Sequence, residues 1–509
     1  MPPRNREFEL KLTLQPKELD RLAADSKLAN SEEAPSPKHL RSVYYDTPDH
    51  RLHGKGMTLR VRHDGQRFIQ TVKADTRIRG GLSNPIESET ALESNQPDLD
   101  QINNKRLRRK IRKVADGSIL APAFEVLVER RAYRLHRGGS TIELALDRGE
   151  ARTKNRRSEI CEAELELLEG SPGDLLQAAQ SLFGHREVCF SELSKAERGY
   201  ELLHGRPPAA RIEPAYATEP EVMRGQTCGE AFAAIFRSAS EQIIKNREVV
   251  LRTEDPEGAH QLRVGLTRLR AAHAALKPLI DAELLEQQET DVKELSRAAG
   301  ALRDADVLLG DIVAPVAAAA SKPSFERLSD ALRQYRLKRQ AEARNALNSE
   351  RWPRLLIGMA LWPAVFETDT ELMLPIEDCA RKTLKRRWRD AAKYGRSIER
   401  LEPDERHAMR KALKKMRYTV EFLAPLYDKQ EVKPFVKRLK KLQDVFGYLN
   451  DARLAGNLPA IAKSTAGGEP ELYLAIGYVL GYHETNAAQI WRRGLKEWAQ
   501  LESVPRFWR

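Results

Sequence analysis

The feature that most constrains this chain is a change in the spacing of its apolar residues. Up to about residue 204, apolar and polar residues alternate in short runs broken by turn sequences such as DTPDH and HDGQ, which predicts β-strands. From about Cys228 onward, apolar residues recur at i, i+3, i+4 and i+7, which predicts long amphipathic helices. The sequence therefore predicts an α+β multidomain protein: a strand-rich N-terminal part followed by an all-α part.

The boundary between these parts is predicted from a proline-rich segment. Gly205–Glu221 contains four prolines and no periodicity, which is typical of a linker. We predict a first domain over 1–204, a linker over 205–224 and a helical domain over 225–509. Strands are predicted, among others, at Glu7–Leu12, Leu59–Arg62, Phe68–Lys73, Ile86–Leu92, Phe124–Leu135, Thr141–Asp147 and Glu159–Leu168. Helices are predicted, among others, at Glu230–Asn246, Gly258–Leu276, Asp281–Leu309, Ser324–Leu347, Asp404–Leu426 and Val432–Leu458.

Composition excludes several classes of protein. With 41% hydrophobic and 31% charged residues, the chain is neither largely disordered nor membrane-spanning. The most apolar stretch, Ile312–Ala320, is too short to span a bilayer, and the first residues contain no apolar segment typical of secretion. Four cysteines lie far apart without a CxxC pair, so we expect neither a disulfide framework nor a structural zinc site. These features predict a cytoplasmic protein.

The formal net charge of +12 predicts an anionic partner, and most of the basic excess lies in the helical half. Nucleic acid, polyphosphate and an acidic surface all fit such a charge. A helical surface whose cations simply face water fits it too.

The helical half contains an internal repeat. HQLRVGLTRLR begins at His260 and HAMRKALKKMR begins at His407, an offset of 407 − 260 = 147 residues. The same offset relates LRDADVLL to the segment around Leu449 and Asp451, which indicates a duplicated helical unit.

Each repeat carries a basic stripe on its first helix. His260, Arg263 and Arg270 fall on one side of a helical wheel, and the leucines fall on another. Two related units can bring such stripes face to face, which is costly unless an anion lies between them. The alternative is a pair of ordinary amphipathic helices. Asp304, Asp306 and Asp451 either orient the cations or are helix-end residues, and the sequence leaves both readings open.

Charged residues also share strand faces in the first part. Glu7, Glu9 and Lys11 alternate with apolar residues, and the same holds for Glu162, Glu164 and Glu166. If such strands close into a barrel, an interior lined by both signs of charge suits a polyanion with divalent cations. The alternative is an open sheet with a solvated polar face. No glycine-rich phosphate loop is present, so a phosphate site must be built from side chains.

These motifs together resemble two known families. Glu7-x-Glu9-x-Lys11 is similar to the ExExK signature of the CYTH family, the triphosphate tunnel metalloenzymes. YYDTPDHRL, LRVR, QTVK, ELALDRG, CEAELELLEG and LSKAERGY follow in family order, so the resemblance covers residues 5–202. The helical half, over about 225–500, resembles the CHAD domain through its histidine-led basic helices. The order of the two is similar to that of bacterial inorganic triphosphatases.

The CYTH resemblance implies an eight-stranded antiparallel barrel around a tunnel for triphosphate and Mg²⁺ or Mn²⁺. It implies catalytic roles for Glu7, Glu9 and Lys11. It implies phosphate binding by Lys11, Arg60, Arg62, Lys73, Arg130, Lys195 and Arg198. It implies metal ligation by Glu7, Glu9, Glu162 and Glu164, with Glu87, Asp147 and Glu166 as further candidates. One departure is Asn84-Pro85 where the family often has an arginine, which leaves substrate length open; Arg77 or Arg79 could supply that contact.

The CHAD resemblance implies an all-α domain of two pseudo-symmetric helical bundles that binds long-chain polyphosphate. The candidate residues are His260, Arg263, Arg268, Arg270, His407, Arg410, Lys414, Lys415, Arg417 and Lys440. This partner would associate the protein with polyphosphate granules. Nucleic acid is disfavoured as a partner because the basic helices carry few aromatic residues for base stacking, and no membrane partner is expected.

The predicted function is metal-dependent hydrolysis of inorganic triphosphate to diphosphate and phosphate, with polyphosphate bound by the helical part. The alternatives keep the tunnel but change its substrate to thiamine triphosphate, a nucleoside triphosphate or the substrate of an adenylate cyclase. In a further alternative the tunnel is inactive and the protein is a polyphosphate-binding module.

Overall fold

A computed structural model describes residues 8–29, 36–74, 82–83, 86–191, 193–205, 212–277, 279, 283–320, 323–466 and 469–508. The predicted site residue Glu7, and Arg77 and Arg79, lie outside the described residues. The chain divides into two compact units. The first comprises Met1–Arg211 with Pro353–Val365, and the second comprises Ile212–Trp352 with Phe366–Arg509.

The first unit is built on one antiparallel sheet. Its strands are β1 (Glu9–Leu14), β2 (Lys38–Asp46), β3 (Met57–His63), β4 (Phe68–Ala74), β5 (Leu82–Ser83), β6 (Ile86–Leu92), β7 (Ala121–Arg137), β8 (Ser140–Arg152), β9 (Arg157–Glu169) and β10 (Val188–Phe190). Its helices are α1 (Pro16–Ala23), α2 (Ser26–Ala29), α3 (Arg51–Gly54), α4 (Lys105–Ala115), α5 (Pro172–Phe183) and α6 (Lys195–His204), with a 3₁₀ turn at Leu99–Gln101.

The strand order corrects the prediction of a closed eight-stranded barrel. Within the described residues the order is β10-β1-β9-β8-β7-β2-β3-β4-β6, and the short β5 pairs with β1. The sheet thus has nine strands along its path, and its two ends, β10 and β6, are not paired in the part of the chain that the structure describes. Alternation within a strand predicts its two faces, but closure depends on long-range pairing that no single strand encodes.

The strand register gathers the alternating charges onto one face. Lys11 lies opposite Glu164, and Glu162 lies opposite Asp147. Asp147 lies opposite Arg130 on the next strand. Directly opposed residues share a face of the sheet, so these charges form continuous rows across neighbouring strands. The apolar residues pack elsewhere, for example Val61 and Val72 with Ile111 of α4.

The second unit is helical, as predicted. Its helices are α7 (Cys228–Arg252), α8 (Pro256–Leu276), α9 (Glu283–Val307), α10 (Ala314–Ala320), α11 (Pro323–Leu347), α13 (Ile376–Gly395), α14 (Pro403–Leu423), α15 (Lys429–Leu454), α16 (Leu458–Ala466) and α17 (Pro470–Ser503). A π-helical turn, Leu308–Val313, joins α9 to α10, and 3₁₀ turns lie at Thr370–Leu372, Ile398–Arg400, Ala424–Leu426 and Ala455–Asn457. Helix α12 (Arg351–Thr368) contains residues of both units, because Pro353–Val365 belongs to the first.

The two basic repeats form helices with matching starts. Helix α8 begins at Pro256 after the cap residue Asp255, and α14 begins at Pro403 after the cap residue Glu402. Proline is favoured in the first helical turn because its missing N–H has no intrahelical partner there. The two helix starts are 403 − 256 = 147 residues apart, which is the repeat offset, so the duplication extends to the helix caps.

The structure also corrects the expectation about cysteines, because Cys228 and Cys379 form a disulfide across a sequence separation of 151 residues. Sequence spacing could not reveal this pair, since the two helix starts meet only in the folded unit. Cys161 is a free cysteine. None of the described helices combines the length and apolar character needed to cross a bilayer.

We expect the Cys228→Ser/Cys379→Ser double variant to unfold more easily than the wild type. A disulfide that closes a long loop contributes about 2–4 kcal/mol, chiefly by restricting the unfolded chain. Urea denaturation followed by circular dichroism measures the difference. Dithiothreitol should destabilise the wild type by a similar amount and leave the double variant unchanged; equal midpoints for both proteins without reductant would contradict the expectation.

Candidate functional site

A polar cavity of ≈ 330 Å³ lies on the charged face of the sheet in the first unit. Six basic and six acidic side chains of the described residues line it. The basic ones are Lys11, Arg60, Arg62, Lys73, Arg130 and Lys195, and the acidic ones are Glu9, Glu87, Glu89, Glu143, Glu164 and Glu166. The predicted phosphate-binding residues other than Arg198 thus come together from five separate elements, β1, β3, β4, β7 and α6.

Lys11 and Lys195 contact the same carboxylate of the cavity lining, Glu164. The Lys11 ammonium lies 2.7 Å from a Glu9 oxygen and 2.8 Å from Glu164 Oε1. Lys195, the first residue of α6, lies 2.6 Å from the same Glu164 oxygen and 2.8 Å from Asp147 Oδ2. Ser194 caps this helix by accepting a hydrogen bond from the Glu197 amide, and the cap aims Lys195 at the carboxylates.

Arg130 and Arg198 complete this network. Arg130 donates two hydrogen bonds to Asp147, at 2.7 and 2.6 Å, and one to Glu164 at 2.7 Å. Arg198 donates to Glu162 Oε1 at 2.9 Å. Glu162 and Asp147 do not line the cavity itself but contact Lys195, which does, and Arg198 contacts Glu162. They are therefore placed to position the lining residues.

Two further ion pairs lie in the cavity lining, and one cation there has an unsatisfied donor. The Lys73 ammonium lies 2.7 Å from Glu87 Oε2, and Arg62 lies 3.4 Å from Glu89 Oε1. In the described part of the chain, Arg60 has a buried Nε with no hydrogen-bond partner. A buried, unsatisfied cationic donor is costly, and it favours an anionic ligand in the cavity.

The network shifts the pKa values of the carboxylates in opposite directions. Burial raises the pKa of Glu9, although Lys11 opposes this. Burial would also raise the pKa of Glu164, but Lys11, Lys195 and Arg130 surround it and hold its pKa well below the usual value. Asp147 likewise keeps a lowered pKa against burial because Lys195 and Arg130 face it. Glu9 is therefore the better proton acceptor of the three.

The donor chemistry of the cavity fits Mg²⁺ or Mn²⁺, since both ions prefer carboxylate oxygens. Glu9 and Glu164 lie close enough for their charges to interact and are both buried. No group of three or more metal-ligating side chains lies together within the residues described by the structure, and Glu7 falls outside them. The fit therefore rests on Glu9 and Glu164.

Several lining residues were missed as site candidates. Tyr44, Thr58, Thr71 and Ser194 line the cavity, and so do Glu89 and Glu143. Thr58 lies two residues before Arg60, and Thr71 lies two residues before Lys73, so each pair shares one face of its strand. This spacing could have identified the two threonines.

A second group of cations lies where α8 and α14 meet in the second unit, and we call it the basic cleft: Arg263, Arg270, Arg410, Lys414 and Arg417. Burial and the four arginines lower the pKa of Lys414 to about 7. Burial and Arg263 also lower the pKa of Arg410. The like charges of the two repeats therefore lie close to each other, as predicted.

The acidic residues of the repeats differ in role. Arg263 donates to Asp304 Oδ1 at 2.7 Å, and Asp451, at the repeat offset, faces Arg410. Asp306 instead pairs with Arg336 of α11 at 2.6 Å. Asp304 and Asp451 therefore orient cleft cations, while Asp306 joins two helices.

The remaining polyphosphate candidates vary in their surroundings. Burial and Arg303 lower the pKa of His260, whereas burial and Lys411 lower that of His407. Arg417 donates to Glu421 at 2.6 Å. Lys415 and Lys440 are exposed, on α14 and α15 respectively.

Arg268 differs from the other candidates because it is buried. Its guanidinium donates to Gln242 Oε1, Thr218 O and Ser238 Oγ, each at 2.9 Å. It is 2% exposed and belongs to the interior of the helical unit.

We expect Arg268→Ala to lower stability rather than ligand affinity. The substitution leaves buried acceptors unsatisfied, at about 1–3 kcal/mol. Urea denaturation measures this loss, and Arg270→Ala, an exposed neighbour, is the matched control. Wild-type stability for Arg268→Ala would contradict the structural role.

Comparison with known proteins identifies two family domains in the chain. Residues 5–200 match the family model of the CYTH domain, and residues 234–458 match that of the CHAD domain. An inorganic triphosphatase of Haemophilus influenzae is 30% identical over 200 residues, which are 38% of this chain and 54% of that protein. The chain thus spans about half the length of this curated relative.

The helical unit also resembles a solved structure, the CHAD domain of the plant Ricinus communis. The TM-score is 0.51 at 24% sequence identity, over 58% of this chain and 98% of that domain. This likeness supports the helical fold. The chain therefore carries a domain of the CYTH family followed by a domain of the CHAD family.

Proposed function

We propose that the cavity of the first unit hydrolyses inorganic triphosphate to diphosphate and phosphate. The observation that carries this proposal is the convergence of six cationic side chains in one small polar cavity. Triphosphate carries roughly four to five negative charges near neutral pH, so it needs several cations at hydrogen-bond distance. The likeness to the Haemophilus triphosphatase supports the same reaction.

In this proposal, the lining cations exchange partners when substrate enters. Lys11, Lys195 and Arg130 now contact Glu164, and phosphate oxygens compete for the same donors. Glu9 and Glu164 are then available to hold Mg²⁺ or Mn²⁺. When bound, this ion adds positive charge where negative charge develops on the phosphoryl oxygens.

Hydrolysis requires a base and charge stabilisation. A water oxygen attacks the terminal phosphorus, and the bond from that phosphorus to the bridging oxygen breaks in line. The electron pair leaves with diphosphate. Glu9, whose pKa burial raises, accepts the proton of water, and Lys11 beside it stabilises the negative charge that develops on the phosphoryl oxygens.

We further propose that the basic cleft of the second unit binds long-chain polyphosphate. Cations from two repeats face each other there, and Lys414 has no carboxylate partner among the described residues. A polyanion between the helices would relieve this repulsion.

A substrate panel tests the first proposal. Phosphate release is measured for inorganic triphosphate, thiamine triphosphate, ATP and long-chain polyphosphate, each with Mg²⁺ or Mn²⁺ and with chelator. We expect fast, metal-dependent release from inorganic triphosphate. A preference for thiamine triphosphate or ATP, cyclic AMP formation, or no turnover of any substrate would contradict it.

A further inference from the structure

A strongly basic helix, α4, lies on the first unit away from the cavity. Seven of its eleven residues are lysine or arginine, and it contains no acidic residue. Its apolar residues Leu107 and Ile111 pack in one cluster with Val61 and Val72, on the apolar face of the sheet. The cavity lies on the charged face of the same sheet, so the cations of α4 do not line it.

The exposed cations of α4 form a continuous strip. Lys105, Arg109 and Lys113 are four residues apart, so they lie on one side of the helix at intervals of about 6 Å along its axis. Further exposed cations flank this row. We call the six exposed cations the α4 strip: Lys105, Arg106, Arg109, Lys110, Arg112 and Lys113.

The positive charge of the α4 strip is poorly balanced within the unit. Among the residues that the structure describes, Asp100 is the one carboxylate in an ion pair with the strip, and it pairs with Arg112. Like charges four residues apart destabilise a helix, and Arg109 has such a neighbour on each side, Lys105 and Lys113. Lys105 also occupies the first helical position, where the helix dipole disfavours a cation. A bound polyanion would relieve both costs.

We propose that the α4 strip binds long-chain polyphosphate through its phosphate oxygens. Polyphosphate is a narrow chain with a negative charge on each phosphate unit, so it can follow a single helix. The seven cations of α4 lie along about 16 Å of helix, a higher density than the roughly one charge per 3.4 Å of a single nucleic-acid strand. Binding at the α4 strip does not depend on the basic cleft, which belongs to the second unit.

Other anionic partners fit the α4 strip less well. The helix contains no aromatic residue on which the bases of a single strand could stack. It also cannot insert into a membrane surface, because its apolar side is already buried against the sheet. The exposed side offers charge alone, which suits a ligand recognised by its phosphates.

Binding of fluorescently labelled long-chain polyphosphate to the full chain, measured by anisotropy, tests the proposal. The Arg410→Gln/Lys414→Gln variant is the background, so that the basic cleft contributes little. In this background we expect Lys105→Gln/Arg109→Gln/Lys113→Gln to lower the affinity roughly tenfold or more. The slope of log affinity against log salt should fall by about three, since each lost phosphate contact releases about one counterion fewer.

The matched control in the same background is Lys17→Gln/Lys154→Gln/Lys245→Gln, which removes three exposed lysines elsewhere and changes the net charge equally. It should bind like the background variant, and circular dichroism establishes that each variant is folded. Unchanged affinity after the α4 substitutions would overturn the proposal, and so would an equal loss in the control or no binding in the background variant. Displacement of polyphosphate by duplex DNA at equal phosphate concentration would overturn it too, by assigning the strip to nucleic acid.

Discussion

The Lys11→Ala variant is expected to lose roughly 10²–10³-fold in kcat/KM for inorganic triphosphate. Lys11 touches both Glu9 and Glu164, so it stands beside the proposed base and the proposed metal ligand. Its loss removes a charge that stabilises phosphate in the transition state and also leaves two buried carboxylates facing each other. The measurement is steady-state phosphate release at saturating Mg²⁺.

The control for Lys11 is Lys17→Ala, which removes an exposed lysine of α1. Circular dichroism shows whether each variant is folded. Arg62→Gln provides a milder test, because Arg62 pairs with Glu89 at only 3.4 Å and its loss should disturb the fold less. Wild-type kcat/KM in folded Lys11→Ala would refute the assigned role.

Polyphosphate affinity is expected to fall by up to tenfold per pH unit as pH rises above about 7. Burial and the facing arginines lower the pKa of free Lys414 to about 7, and bound phosphate would raise it again. Binding therefore takes up a proton above pH 7. Isothermal titration calorimetry in buffers of different ionisation enthalpy measures this uptake with long-chain polyphosphate, whose interior phosphates remain ionised.

Other charged and titratable groups also face the basic cleft around Lys414. Arg263 and Arg270 face Lys414 from α8, while Arg410, Arg417 and Tyr418 lie on its own helix. Asp304 and Asp451 face Arg410, while Glu421 pairs with Arg417 and Asp444 also faces Arg417. Burial and nearby cations lower the pKa values of His260 and His407 in the free protein.

Lys414→Arg is the matched variant, because arginine stays charged across this range. It should bind polyphosphate with little proton uptake between pH 7 and 9. Uptake equal to that of the wild type would assign the proton to another group.

The lowered pKa of Lys414 has the opposite effect on the stability of the free protein. The folded pKa of Lys414 lies below its unfolded value of 10.5, so the unfolded chain binds more protons between pH 7 and that value. This group alone makes the unfolding free energy rise with pH across that window, while ligand affinity falls.

Much of the fold follows from local patterns. The alternation of apolar and polar residues predicted the bounds of β3, β4 and β6 to within two residues. The internal repeat predicted α8 and α14 with their opposed cations. Glu9, Lys11, Glu164 and Lys195 were site candidates through the family resemblance, and the structure shows them in contact with one another. Periodicity is a local property, so it predicts faces well.

Long-range features could not be predicted in this way. The open sheet depends on which strands pair at its ends, and the disulfide depends on the meeting of α7 and α13. Arg268 shows the same limit. It lies next to the basic stripe in sequence, yet its guanidinium is directed at Gln242 and Ser238 in the interior.

The most direct test of the central claim is ³¹P NMR of inorganic triphosphate incubated with the full chain and Mg²⁺. The proposed reaction predicts one diphosphate and one phosphate per triphosphate, with the rate abolished by chelator and nearly lost in Lys11→Ala. Intact triphosphate after prolonged incubation with folded wild-type protein, with either Mg²⁺ or Mn²⁺, would contradict the account.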